Sequence, residues 1–355
     1  MSDQLELGAS DADARWIGIR RHQAVLVVSG IGMVGDWVVR PRAMVVEVIM
    51  GAALLLAAVP LYDGLTVGEW LAVGARFRVR SRWTLVAVDL ERGSLTMHAH
   101  GRAQLQGYEL AHRGRLDLSG HDLQRSQELA AFADAVATSD RSTHFSVHVN
   151  TQRERASTLL TLPEGTSPPE GWSESRELLV EVIGVSATKR SMWLLERWRY
   201  LRTSNGLVRV LRVRDFTAVS HGQALLERLQ QSGDQVSLAL HIDVISAQRA
   251  HRMAERAVHR TGSDGAAARS VGFRRTARAE RSLERLAQRE VRVASGRALL
   301  RVAVYVCVRA PSQSELHQRV SDVLRRGHEA GLRCERGFGR QATWFCHQLP
   351  GGPGW

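Results

Sequence analysis

Six residues, Gly30-Ile31-Gly32-Met33-Val34-Gly35, have the spacing of a phosphate-binding turn. In a dinucleotide-binding fold, glycines so spaced let the backbone approach a pyrophosphate at a helix N-terminus. The setting opposes that chemistry. Pro41 stops the helix that should follow. The acid expected about 20 residues further on is replaced by Glu47, which comes too early and inside an apolar run. Small residues at this spacing suit close helix packing equally well.

The other reactive side chains converge no better. His98 and His100 share one face of an expected strand, without the further ligand that a metal needs. Asp215, Ser220 and His221 fall within one strand end and turn, whereas a catalytic triad is assembled from separate elements. Cys346 and His347 are neighbours on an expected strand and would point to opposite faces. No G-x-S-x-G occurs, and Lys189 is the only lysine, so no P-loop lysine exists elsewhere. The sequence therefore assigns no catalytic, cofactor-binding or metal residue, and the chain reads as a non-enzyme without a cofactor.

The composition allows one or two sizeable domains in 355 residues. The net charge of +12 is carried almost wholly by arginine, the bias a GC-rich genome writes. Such a balance suits nucleic acid or a face apposed to anionic lipid. Cys307, Cys334 and Cys346 are too few for a disulfide framework and fit a reducing compartment.

Residues 24–61 are the most apolar stretch. Two apolar runs, 24–39 and 43–61, flank Arg40-Pro41-Arg42. A bilayer core takes about 20 helical residues, so the runs predict a two-helix transmembrane hairpin. Asp36 and Glu47 both lie near the turn, at one interface, where a carboxylate costs less. Arg15, Arg20 and Arg21 before the hairpin, and Arg76 to Arg82 after it, place both termini in the cytoplasm. Residues 76–83, RFRVRSRW, read as a lipid-surface seam rather than a nucleic-acid site.

The expected organisation is a disordered tail over 1–15, the hairpin within 16–62, a small α+β region over 63–165, and a second domain over 166–355. Strands are expected at 84–89, 94–99, 104–111, 143–150 and 156–162, with an amphipathic helix over 122–139. Residues 191–202, SMWLLERWRYLR, read as a helix. Beyond them come a strand over 207–218, a helix over 223–230 and a strand over 236–245. A charged helical insertion follows, about 247–295, broken at 261–265. A strand over 298–310, a helix over 312–330, a strand over 332–336 and a last strand over 342–348 complete the chain. The fold class is α+β, its C-terminal part a split βαβ sandwich of ferredoxin-like type.

Residues 205–350 resemble a known family. The run VSLALHIDVISAQRAHRMAERAV, the segment Arg289-Glu290-Val291-Arg292-Val293-Ala294-Ser295-Gly296 and the exit from Phe345 to Gly351 carry the resemblance. They are similar to the region ahead of the motor in the conjugation ATPase of type IV secretion. They are more similar to actinobacterial membrane proteins that have that region without the motor. The resemblance implies a membrane-anchored structural subunit of a DNA-transfer machine. Its partners would be the cytoplasmic membrane, a separate ATPase and other subunits, with self-association and direct DNA contact left open. The alternative is a membrane-tethered nucleic-acid-binding protein that uses its arginine-rich helices.

Overall fold

The computed structural model describes residues 15–16, 19–20, 27–31, 45–59, 66–79, 83–89, 94–97, 101–104, 106–110, 143–152, 155–162, 168, 172–175, 182–183, 191–216, 236–270, 277–296, 299–329 and 331–352. A minimal antiparallel pair opens it, β1 (Arg15–Trp16) with β2 (Ile19–Arg20). Two helices follow, α1 (Val45–Ala58) and α2 (Val67–Val79). Then come β3 (Trp83–Asp89), β4 (Ser94–Met97), β5 (Gly101–Gln104), β6 (Gln106–Leu110), β7 (Thr143–Gln152), β8 (Arg155–Leu162) and β9 (Trp172–Glu174). The hairpin β10 (Ser191–Glu196) and β11 (Leu201–Thr203) leads into β12 (Gly206–Phe216) and β13 (Val236–Ile245). Helices α3 (Ala247–Ser270) and α4 (Ala277–Ala294) separate β13 from β14 (Leu299–Ala310). Helix α5 (Gln313–Glu329), β15 (Leu332–Glu335) and α6 (Gln341–Gln348) end the described chain.

All the described strands from β3 onward belong to one 13-stranded sheet, and the pairings between them are antiparallel. Its centre is β15-β12-β14-β13, the order of a split βαβ unit. These four strands are not a sandwich of their own. The sheet continues through β7, β8, β6 and β9 on one side and through β11, β10, β3, β4 and β5 on the other.

The described residues do not form the expected transmembrane hairpin. Among the described residues no helix is long and apolar enough to cross a membrane. Helix α1 has 14 residues. At 1.5 Å per residue that is about 21 Å, against a hydrocarbon core of about 30 Å. Pro60 disfavours helical backbone at Val59, and the chain turns there: Val59 N–H bonds Leu56 O, and Val67 N–H bonds Val59 O. Of the first expected span only residues 27–31 are described, as a helical turn.

Three local expectations also change. Residues 191–203 form the β10–β11 hairpin rather than a helix, because SMWLLE alternates: Met192, Leu194 and Glu196 are buried while Ser191 and Trp193 face out. Residues 341–348 form helix α6 rather than a strand; a short apolar run does not distinguish the two. Helix α3 runs through 261–265 to Ser270, so Gly262 does not break it. The helices expected over 122–139 and 223–230 lie outside the described residues.

The two faces of the central sheet differ. On one, Leu211, Val213, Val236, Leu238, Val304, Val306 and Val308 pack beneath Leu316, Val320 and Val323 of α5. Ser312 starts that helix by accepting the Glu315 N–H at 3.3 Å. The other face carries His148, Ser237, His241 and Tyr305, and α6 covers it with Trp344, Phe345 and His347.

Helix α6 is held by two buried polar side chains. Strands β11 and β15 lie along the same edge of β12 and leave Val210 between them. The Gln341 amide fills that gap. Its Oε1 accepts the Val210 N–H at 2.8 Å and its Nε2 donates to Val210 O at 3.1 Å, as a neighbouring strand would. The same Nε2 reaches Arg336 O at 2.8 Å and Gly337 O at 3.0 Å. Glu196 of β10 accepts the Ala342 N–H at 2.9 Å and so caps the first turn of α6. The Gln341→Ala substitution leaves both main-chain groups of Val210 buried and unpaired. At about 1–3 kcal/mol each, a loss of about 2–6 kcal/mol is expected in denaturant unfolding. A loss under about 1 kcal/mol would show that the amide does not substitute for a strand.

Candidate functional site

The strand β7 reads Thr143-His144-Phe145-Ser146-Val147-His148, and β13 carries His241 and Asp243. Alternation puts His144, Ser146 and His148 on one face. The register sets Ser146 opposite His241 and His144 opposite Asp243. Tyr305 of β14 and His347 of α6 complete the cluster, with their rings stacked 5.9 Å apart.

Its outer end is partly open. His144 Nδ1 lies 2.5 Å from Asp243 Oδ1, and the two side chains are 31% and 24% exposed. His144 Nε2 faces His241 Nδ1 across 3.3 Å, and these rings stack 5.4 Å apart. One tautomer set satisfies both contacts with two neutral rings. In it His144 donates from Nδ1 to the carboxylate and His241 donates from Nδ1 to His144 Nε2. Further in, His148 Nε2 lies 2.8 Å from Ser146 Oγ, and both residues are 1% exposed.

Burial sets the charge state. Desolvation lowers the His148 pKa to about 3, aided by His144 nearby. Desolvation likewise holds His241 well below its ordinary value, with His148, His144 and His347 adding repulsion. His148 and His241 are thus neutral imidazoles, and the cluster ends at its open side in the His144–Asp243 contact. Ser146, the hydroxyl beside His148, is too deeply buried to meet a substrate. Among the described residues, no group of three or more His, Cys, Asp or Glu side chains is arranged to hold a metal ion.

A second feature joins α2 to the sheet. Thr66 and Glu69 form a reciprocal capping box: Glu69 Oε2 accepts the Thr66 N–H at 2.8 Å, and Thr66 Oγ1 accepts the Glu69 N–H at 3.2 Å. The helix then sets Trp70 and Phe77 against Trp198, at ring separations of 5.6 and 5.2 Å. Phe338 closes the clamp 5.3 Å from Trp70, and the Arg209 guanidinium lies 5.4 Å from its ring centre. Gly339, at φ +64°, allows this approach, since a Cβ there would meet the Trp198 ring at 2.5 Å.

Beyond the clamp the helices are greasy and bare. Leu56 of α1 and Leu71 of α2 are 63% and 69% exposed, with Ile49, Met50 and Val59 alongside. Arg76 and Arg78 are exposed at the end of α2. Gly30 is buried against α1, where a Cβ would fall 2.8 Å from Leu55 and 3.0 Å from Gly51 O. The first glycine of the phosphate-turn pattern therefore serves helix packing. Gly32 to Gly35, His98, His100, Ser220 and His221 lie outside the described residues. Asp215 lies in β12. Cys346 and His347 are both buried in α6, so the strand argument separating them does not apply. The histidine cluster escaped sequence reading, although His144, Ser146 and His148 at every second position, and His241 two before Asp243, mark it.

No known protein-family model matches this chain, and no curated protein matches it at a significant level.

The histidines make stability depend on pH. The unfolded chain protonates His148 and His241 near pH 6.5, and the folded chain does not. Stability is therefore complete above that pH and declines as pH falls toward about 3. Between pH 6.5 and 5.5 the two together should remove about 2 kcal/mol of unfolding free energy. His148→Gln keeps a partner for Ser146 and should halve that decline. A decline identical to the parent's would contradict the assignment.

Proposed function

We propose that this chain is a non-catalytic, membrane-associated structural subunit of a conjugation- or secretion-like DNA-transfer machine. It sits on the cytoplasmic surface of the cell membrane and gives a separate ATPase a rigid platform. The observation that carries the membrane part is the bare apolar surface of α1 and α2, fastened by aromatic rings to a large sheet. An exposed apolar surface of this kind marks a partner or a membrane. The exposed Arg76 and Arg78 beside it favour an anionic lipid surface. The helices lie in the headgroup region, as interfacial helices do, and do not span the bilayer. The non-catalytic part is supported by the histidine cluster, whose Ser146 and Tyr305 side chains are both sealed from solvent. The identity of the machine is supported by the resemblance of residues 205–350.

Vesicle co-sedimentation of the full chain tests the lipid seat. Binding is expected to vesicles of phosphatidylcholine with phosphatidylglycerol, and weaker binding to phosphatidylcholine alone. Leu56→Asp combined with Leu71→Asp should weaken binding by about tenfold or more, with the unfolding midpoint kept because both side chains are exposed. Equal binding by the double variant, or none by the parent, would refute the lipid seat.

A further inference from the structure

Helices α3 and α4 form an arm between β13 and β14. Ala250 and Ala254 are buried at its base. Beyond Ala254, no described side chain of either helix is buried. The 24 residues of α3 extend about 36 Å at helical rise.

The arginines of this arm fall in rows. On α3 they stand at 249, 252, 256 and 260, with Arg269 further along, and on α4 at 278, 281, 285, 289 and 292. Steps of three and four keep each row on one helical face. Arg249, Arg252, Arg256, Arg260, Arg281, Arg285 and Arg292 are exposed. The two helices together hold ten arginines against five acids. Helix α5 differs. There Arg319 pairs with Glu315, and Arg325 pairs with Asp322 and Glu329, so its charges cancel along its own surface. On α3 Glu255 pairs with His251, and among the described residues Arg249, Arg252, Arg256 and Arg260 form no ion pair, which leaves that row as surplus charge.

We propose that the α3–α4 arm binds the phosphate backbone of duplex DNA without regard to base sequence. The row from Arg249 to Arg260 covers about 16 Å, and duplex DNA presents one charge per about 1.7 Å of its axis. Neither helix contains Phe, Tyr or Trp, so the arm has no platform on which to stack the bases of a single strand. The narrow major groove of an RNA duplex does not admit such side chains, whereas the DNA major groove admits a helix. A lipid surface would call for a continuous apolar face beside the arginines. Met253 and Val291 are the large apolar side chains exposed on the described arm, and the residues between the arginines are mostly alanine or polar. This site is independent of the lipid seat on α1 and α2.

The test is fluorescence anisotropy of the full chain with two duplexes of unrelated sequence, titrated with salt. Equal affinity for both, falling linearly in log–log form as salt rises, is expected. The triple variant Arg252→Gln, Arg256→Gln, Arg260→Gln should bind about tenfold more weakly and reduce the salt slope by about two to three. Its unfolding midpoint and its binding to anionic vesicles should equal the parent's. The proposal is overturned by absent binding at low salt or by a triple variant that binds DNA as the parent does. It is also overturned by tighter binding of a single strand than of a duplex, or by loss of vesicle binding together with DNA binding.

Discussion

One side-chain amide holds two edges of this protein together. Strands β11 and β15 cannot meet along β12, and the unpaired main chain of Val210 would be a buried polar gap in the sheet. Gln341 closes it, and with Glu196 it fixes α6 over the polar face. Much else follows from that position. Trp344, Phe345 and His347 cover the face that carries His148 and His241, and burial there holds those two rings neutral. The segment before α6 turns through Gly337 and Gly339, both at positive φ, and carries Phe338 between them. Phe338 completes the ring stack that grips α2. The greasy helices are thus attached to the sheet at the segment that the Gln341 amide anchors.

This arrangement separates stability from exposure. The sheet is covered on one face by α5, through Leu316, Val320 and Val323, and on the other by α6 and the β3–β4–β10 region. Burying each such aliphatic side chain is worth about 1.5–3 kcal/mol, so the centre does not need α1, α3 or α4 to hold it. Those helices are left with exposed surfaces of opposite character. One pair is apolar and uncharged over most of its length, and the other is rich in arginine and alanine. A rigid sheet carrying two such surfaces has the physical makings of an adaptor, able to meet two kinds of partner without distortion of its core.

The sequence made the sheet's centre legible because its strands are apolar, of ordinary length and bounded by turn residues. Residues 236–245 and 299–310 could hardly be anything else. The hairpin over 191–203 was obscured by aromatic and basic residues that suit either period, and its strand state is decided by distant pairing with β3. Helix α6 was hidden because its burial comes from both the sheet and the loop before it, so no polar side marks a helical period. Hydropathy, the Arg-Pro-Arg turn and the flanking arginines all make the apolar run 43–61 look like a span, but Pro60 and the return through Thr66 stop the helix early. The histidine cluster was invisible for a different reason. Its members lie about a hundred positions apart, and only the β7–β13 register brings them together.

The central claim is that lipid, acting on a preformed sheet, covers the bare surface of α1 and α2 and leaves the arginine arm in water. Hydrogen exchange on the full chain, with and without anionic vesicles, addresses it most directly. Slowed exchange is expected within residues 45–79, with unchanged exchange in α3 and α4. Unchanged exchange within 45–79 on vesicles that bind the protein, or protection confined to the arm, would contradict it.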